Sequence, residues 1–256
     1  NRHIKLKILV TNDDGIYSAG IFALWNIAKE FGEVNVIAPI NEKSAVGHGI
    51  TISNPLYIKE IERGDGFKGF AVSGTPADCV KIGIKSLLPF SPDLILSGIN
   101  NGSNLGNNII YSGTVAAALE GATQNIPSIA ISVDSFKPKS FSSSKIVVRK
   151  VINLIKDSTI ASSTVLNVNI PNCEPNDLKG YKITSQGHQF FKDSFEKRTD
   201  PKGGDYYWMK GKIIDNDKEL IYDGCAVRNG FVSITPIQFI MTNTSLLNEL
   251  EKSIIK

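Results

Sequence analysis

The chain is short of the residues on which several familiar chemistries depend. Three histidines among 256 residues, and no GxSxG elbow, leave little from which to build a serine-histidine hydrolase. His48 and His188 fall in loop-like segments and read as ordinary loop residues, while His3 is near a terminus. The three cysteines, Cys79, Cys173 and Cys225, are far apart, odd in number and without CxxC spacing. That excludes a zinc ribbon or dithiol redox site and suits free thiols in a reducing compartment. No GxxxxGK[ST] loop is present, which removes the P-loop nucleotide hydrolases, and the one GxGxxG match, GDGFKG at 64–69, leads into the strand expected from Phe70 and opens no helix, which argues against a dinucleotide oxidoreductase. No run of about 18 apolar residues occurs, so no membrane-spanning helix is expected. The basic opening NRHIKLK leads into an apolar run that Thr11 to Asp14 cut short, so it does not read as a secretion signal. The expectation is a cytoplasmic protein. A net charge of +3 with Lys and Arg scattered forms no basic stripe, so duplex nucleic acid is not an expected partner.

What is present is a regular alternation. Apolar content of 41% in 256 residues suffices for a sizeable core. Ile8 to Val10 reads as a central strand. Ile21, Leu24, Trp25, Ala28 and Phe31 recur at helical spacing, with Gly32 as a left-handed helix stop. Further strands are expected at Val34 to Ala38, Phe70 to Ser73, Leu94 to Leu96, Ser128 to Val133 and Val165 to Ile170. Helices are expected from Pro76 to near Pro89, capped by Thr75 and burying Val80 and Ile84, and over Gly113 to Gln124. Another covers Lys145 to Lys156, with Ile146, Val148, Ile152 and Ile155 at core spacing; SFSSS before it reads as a short loop. The pattern predicts an α/β fold: a Rossmann-like, mostly parallel sheet with helices on both faces over residues 1–171. Residues 172–256 change character, with YKITS, a polar loop, YYWMKGKII and LIYDG flanking a DND turn, VSITPI, and a terminal helix bearing Leu246, Leu247, Leu250 and Ile254. They read as a smaller β-rich extension that completes the fold and serves oligomerisation.

The chemistry concentrates where strands end. Asp13 and Asp14 stand side by side in VTNDDGIYSAG, in a strand-loop-helix position at which parallel sheets place ligands. One helix cap would explain one aspartate, whereas two adjacent carboxylates repel unless a cation lies between them. Ser44 follows the second strand and Asn100 the Leu94 to Leu96 strand, on the same rim. Two carboxylates with hydroxyl and amide oxygens make a hard site, suited to magnesium, manganese or calcium and unsuited to zinc. Gly15 allows the turn that brings both aspartates to one ion. A second constellation is SGINNGSNLG followed by YSGT. Glycines 98, 102 and 106 would let backbone amides approach an anion, Asn100 and Asn104 add side-chain donors, and Ser112, Gly113 and Thr114 open the next helix. Each segment alone is equally well read as turn glycines and a helix cap. Beside the acid pair they look like a phosphate clamp next to a metal.

TNDDG, the span Ala38 to Thr51 (AP-x4-SAxG-x2-IT), VSGTPADCV, PDLILSGINNGSNLG and YSGTVAAALEG, followed by RTDPKGGDYYWMKG, YDGCAV and VSITPI, together resemble the SurE family of metal-dependent nucleotidases over nearly the whole chain. The resemblance implies hydrolysis of nucleoside 5′- and 3′-monophosphates, with exopolyphosphatase activity in some members. It implies one divalent ion per subunit on Asp13, Asp14, Ser44 and Asn100, phosphate contacts at Asn104 and Ser112, and a homodimer or homotetramer built through the C-terminal region. Ile40 departs from the aspartate that many members carry after Ala-Pro.

The expected mechanism is in-line attack of water on a phosphate held by Asn104, Ser112 and loop amides, with Asp13 orienting the water beside the ion. Three rivals are weighed against it. A covalent aspartyl phosphate on Asp13 belongs to phosphatases with a DxD arrangement, whereas here the acids are adjacent. A receiver domain needs a further aspartate at a later strand end and about half this length. A binding module without turnover would not need the full ligand set.

Overall fold

The computed structural model describes residues 5–157 and 163–254; His3 and the start of the basic opening lie outside them. The chain runs β1 (Leu6–Thr11), α1 (Ala19–Ala28), β2 (Gly32–Pro39), β3 (Ile58–Glu62), β4 (Lys68–Val72), α2 (Pro76–Ile82, continued by a π-turn over Gly83–Leu87), β5 (Leu94–Asn101), α3 (Gly113–Thr123), β6 (Ser128–Val133), α4 (Ser142–Asp157) and β7 (Val165–Ile170). After that come β8 (Tyr181–Ile183), β9 (Phe190–Thr199), β10 (Asp205–Ile214), α5 (Asp223–Arg228), β11 (Val232–Ile237) and α6 (Thr244–Ile254). Nine strands form one sheet in the order β3-β4-β2-β1-β5-β6-β7-β11-β8. The six from β4 to β7 are parallel throughout, and β3 and β11 pair antiparallel with β4 and β7.

Strand alternation decides which helix covers which face. Ile8, Val10, Val36, Leu94 and Leu96 pack with Ile21, Leu24 and Trp25 of α1 and Val148, Val151 and Ile152 of α4. Leu9, Ile37 and Ile95, one residue out of phase, pack on the other face with Cys79 and Val80 of α2 and Ala117 of α3. The sheet is therefore covered on both sides, as the apolar runs of its central strands require.

This order places the functional rim. β1 lies between β2 and β5, so the chain leaves β1 toward one edge of the sheet and returns beside it as β5. A crevice opens at the carboxyl ends of strands where the order reverses in this way. Asp13 and Asp14 follow β1, and Asn100 ends β5.

Several local expectations change. Gly32 is not a left-handed helix stop: α1 ends at Ala28 with Lys29 still right-handed, and Gly32 opens β2 opposite Leu6. A Cβ there would sit 1.9 Å from the Leu6 carbonyl oxygen, so it is the close approach of two strands that calls for glycine. The polar stretch after YKITS is strand β9, which pairs with β10 across a turn at Asp200 to Gly204. LIYDG is no strand; Tyr222 caps α5. Ser142, Ser143 and Ser144 of SFSSS open α4 rather than forming a loop, and Ser143 Oγ donates to the Cys173 carbonyl at 2.6 Å. Ile146 faces solvent and Val147 beside it is buried instead, whereas Val148, Ile152 and the partly buried Ile155 face the core as expected; Ile84 is only half-buried. Beyond residue 171, β8 and β11 extend the main sheet, whereas β9 and β10 form a separate two-stranded ladder.

Candidate active site

Asp13 and Asp14 sit in a turn built by its neighbours. Asn12 is fully buried and its Nδ2 donates to the Gly15 carbonyl at 3.0 Å and to Ser18 Oγ at 2.9 Å. Gly15 takes φ +93°, which lets the chain turn back after the pair. The cap of α1 is Ser18, whose Oγ accepts from the Ile21 amide. Neither aspartate is used as a helix cap, and both line one cleft of about 410 Å³.

Ser44, Asn100, Asn104 and Ser112 line the same cleft. The Asn100 Nδ2 donates to the Gly102 carbonyl at 2.7 Å, which leaves its Oδ1 as the free acceptor. Asn104 is clamped from below: its amide donates to Asn169 Oδ1 at 2.8 Å, and its carbonyl accepts from Asn167 and Asn169 at 2.9 and 3.0 Å. Its Nδ2 gives one hydrogen to Ser132 Oγ at 2.8 Å, and the second N–H remains for an anion. Ser112 is the N-cap of α3, where unpaired amides and the helix dipole favour negative charge.

Gly113 and Thr114 stand behind this surface rather than on it. Thr114 is fully buried and its hydroxyl donates to Asp13 Oδ1 at 2.5 Å. A Cβ on Gly113 would come within 2.9 Å of the Asp13 Cβ, so glycine leaves room for that carboxylate. Two glycine amides expected to face an anion are engaged elsewhere. Gly102 donates to the Val133 carbonyl and Gly106 to Asp223 Oδ2, both at 3.0 Å.

The electrostatics are those of two carboxylates held close together in a partly buried site. Burial pushes the Asp13 carboxyl above its ordinary range, opposed by the Thr114 hydrogen bond. Burial, and then the Asp13 charge, push Asp14 up to about 6, against one hydrogen bond from the Asn101 amide. Glu42 adds to both shifts from the loop after β2, and its carboxylate accepts from the Ser44 hydroxyl. Among the described residues no group of three or more His, Cys, Asp or Glu stands in metal-holding geometry. A cation at the pair would therefore draw on the neutral oxygens of Ser44 and Asn100. The donor set fits a hard divalent ion: all oxygen, two adjacent carboxylates raised chiefly by burial, and an amide oxygen left unengaged.

The loop carrying Glu42 and Ser44 is fastened on both sides. Thr51 donates through its amide and hydroxyl to Asp78, which also closes the capping box of α2. His48 Nε2 lies 3.0 Å from Glu120 Oε2 on α3, and Lys81 Nζ of α2 lies 2.8 Å from the other oxygen. Burial raises the Glu120 carboxyl, but these two partners outweigh it and hold it below its ordinary value. His48 is thus no plain loop residue, and His188 is paired with Asp217 at 2.9 Å. Glu42, Asn101, Tyr111 and Phe136 also line the cleft. Sequence reading passed over them because none belongs to a spaced pattern of donors.

A family profile described as "Survival protein SurE" matches residues 8–193. A protein of Thermosipho melanesiensis named 5′-nucleotidase SurE is 46% identical over 247 residues, covering 96% of this chain and 97% of its own. One of Petrotoga mobilis with the same name is 44% identical over 96% of this chain and 98% of its own. The crystal structure of the SurE protein from Aquifex aeolicus matches with a TM-score of 0.83 at 39% identity, covering 96% of this chain and 98% of that one.

Proposed function

The chain belongs to the SurE family, and on that premise we propose that it is a phosphomonoesterase that hydrolyses nucleoside 5′-monophosphates to nucleoside and phosphate. The observation that carries the reading is the convergence of Asp13, Asp14, Ser44, Asn100, Asn104 and Ser112 on one cleft at the reversal of the sheet. Asp13, Asp14, Ser44 and Asn100 would hold one magnesium, manganese or calcium ion. When bound, that ion neutralises the acid pair and polarises a phosphate oxygen. The second Asn104 N–H and the Ser112 hydroxyl hold the remaining phosphate oxygens, with Gly113 and Thr114 shaping the Asp13 side of the pocket from behind. Asp13, fixed by Thr114, orients a water. The water oxygen bonds to phosphorus as the bond to the nucleoside oxygen breaks, and a proton from that water ends on the leaving alcohol. Nucleoside 3′-monophosphates and polyphosphate chains present the same terminal phosphoryl group and fall within the proposed range.

Residues 172–256 supply the elements for a homodimer or homotetramer: the β9–β10 arm and α6 both expose apolar side chains. Three free thiols suit the cytoplasm. Among the described residues no helix is long and apolar enough to cross a membrane.

The test is phosphate release from 5′-AMP with magnesium or manganese, and with EDTA, in wild type and Asp13→Asn. We expect metal-dependent release, and a loss of at least roughly 100-fold in a variant whose circular dichroism is unchanged. Near-normal turnover in Asp13→Asn would overturn the scheme, and a trapped phosphoenzyme on Asp13 would replace it with covalent catalysis.

A further inference from the structure

The cleft has two aromatic walls that the phosphate chemistry does not use. Phe136 is 79% exposed and Tyr111 58% exposed, yet both line the cavity that holds the acid pair. A solvated phenylalanine at the mouth of an otherwise polar cleft forgoes hydrophobic burial unless something flat covers it.

The two rings come from opposite sides. Tyr111 precedes Ser112, and its carbonyl accepts from the Gly47 amide at 3.0 Å, so it stands against the loop after β2. Phe136 belongs to the loop after β6, and in the sheet these two loops flank the β1–β5 pair. Neither support is loose. The Phe136 ring lies over Gly102, where a Cβ would come within 2.9 Å of it and where φ is +105°. Ser103 Oγ donates to Asp134 Oδ1 at 2.7 Å, and the Asp134 amide to the Ile170 carbonyl at 2.9 Å, tying the Phe136 loop to β7 and to the segment that carries Asn104.

From this geometry we propose that Phe136 is the platform on which the nucleobase of the substrate stacks, with Tyr111 as the opposing wall, so that this pair sets the preference for nucleotides over base-free phosphate esters. The inference rests on the phosphomonoesterase reading, since it assumes a phosphate anchored at Asn104 and Ser112. Stacking is tolerant of base identity because every base has a π-face. The expected specificity is therefore for the presence of a base rather than for one base.

The experiment compares kcat/KM for 5′-AMP and for ribose 5-phosphate in wild type, Phe136→Ala, Phe136→Trp and Tyr111→Ala. Inhibition by adenosine, which lacks the phosphate, is measured in parallel. Wild type should prefer 5′-AMP. Phe136→Ala should shrink the ratio of the two kcat/KM values by roughly tenfold or more and weaken adenosine inhibition to match, while Phe136→Trp restores both. Tyr111→Ala should shrink the ratio by less. Equal loss on both substrates, or an unchanged ratio and unchanged adenosine inhibition in Phe136→Ala, would overturn the platform. A wild type that hydrolyses neither substrate with any divalent ion would instead overturn the phosphomonoesterase reading. Hydrolysis of both at equal rates would leave that reading standing and remove only the platform.

Discussion

Asp14 is the residue at which function and stability pull apart. Its carboxyl is raised from 3.8 to about 6 in the folded chain by burial and by Asp13. A raised acid binds more protons folded than unfolded, so its penalty is absent below pH 3.8, grows as pH rises, and is complete above about pH 6. Asp14→Asn should therefore raise the melting temperature of the EDTA-treated protein at pH 7. The gain is on the order of 1 kcal/mol once solvent screening is allowed for, and it should vanish near pH 4. With saturating manganese the order should reverse, because the variant loses a ligand; calorimetry in both conditions checks the pair of signs. Asp78 behaves oppositely. Burial raises it, but hydrogen bonds from Thr51 and Thr75 dominate and depress it. Its contribution is present above the unfolded value and lost as pH falls through the folded one. Thr114→Val removes the hydroxyl that fixes Asp13 with little change of shape. A loss of about 1–3 kcal/mol in a denaturant titration, with a lowered kcat, is the expected result.

Elements matter here through their fastenings. Asp223, at the start of α5, is fully buried and accepts from the amides of Gly106, Gly187 and Gly224 at 2.7 to 3.0 Å. One carboxylate thus joins the loop below Asn104 to the base of the β9–β10 arm, and the Asn107 amide reinforces the joint by donating to the Gln189 carbonyl at 2.7 Å. Asp223→Ala leaves three buried donors without a partner, and a loss of about 3 kcal/mol or more is expected in urea unfolding. Hydrogen exchange should rise at residues 102–108 before it rises in β1 or β5. The Glu120 junction fastens the other loop in the same manner. Glu120→Gln keeps the side chain's shape and an acceptor for Lys81 and removes the charge, so it should perturb manganese affinity less than Glu120→Ala does; isothermal titration distinguishes them.

At the scale of the whole molecule, the exposed apolar surface is unevenly distributed. Phe191, Phe195, Tyr207, Trp208, Met209 and Ile213 are exposed on the β9–β10 arm, and Leu246, Leu247, Leu250 and Ile254 along α6. An isolated two-stranded ladder is marginal in water, and a one-sided apolar helix needs a partner surface. Trp208→Lys and Leu250→Glu should each lower the mass measured by analytical ultracentrifugation. A monomeric wild type at micromolar concentration would contradict the proposed assembly.

Much of this protein was determined by sequence alone, where the cause is local. Short apolar runs rich in strand-forming residues specified the strands β1, β2, β5, β6 and β7, since a strand buried on both faces carries no polar alternation. The Thr75-Pro76 cap was legible because a capping box is a contact within four residues. That Asp13, Asp14, Ser44, Asn100, Asn104 and Ser112 share one cleft was legible because the carboxyl ends of parallel strands share one rim, so topology gathers them without side-chain detail. Tertiary structure alone decided what depends on distant neighbours. Gly32 is required by the Leu6 carbonyl and not by a helix end. Gly102 and Gly106 spend their amides on Val133 and Asp223, Thr114 turns inward to Asp13, and His48 finds Glu120 seventy-two positions away. β9 was hidden because a strand exposed on both faces has no hydrophobic period to read. Phe136 was hidden for a related reason: one aromatic side chain in a loop acquires meaning only when the sheet sets it across a cleft from Tyr111.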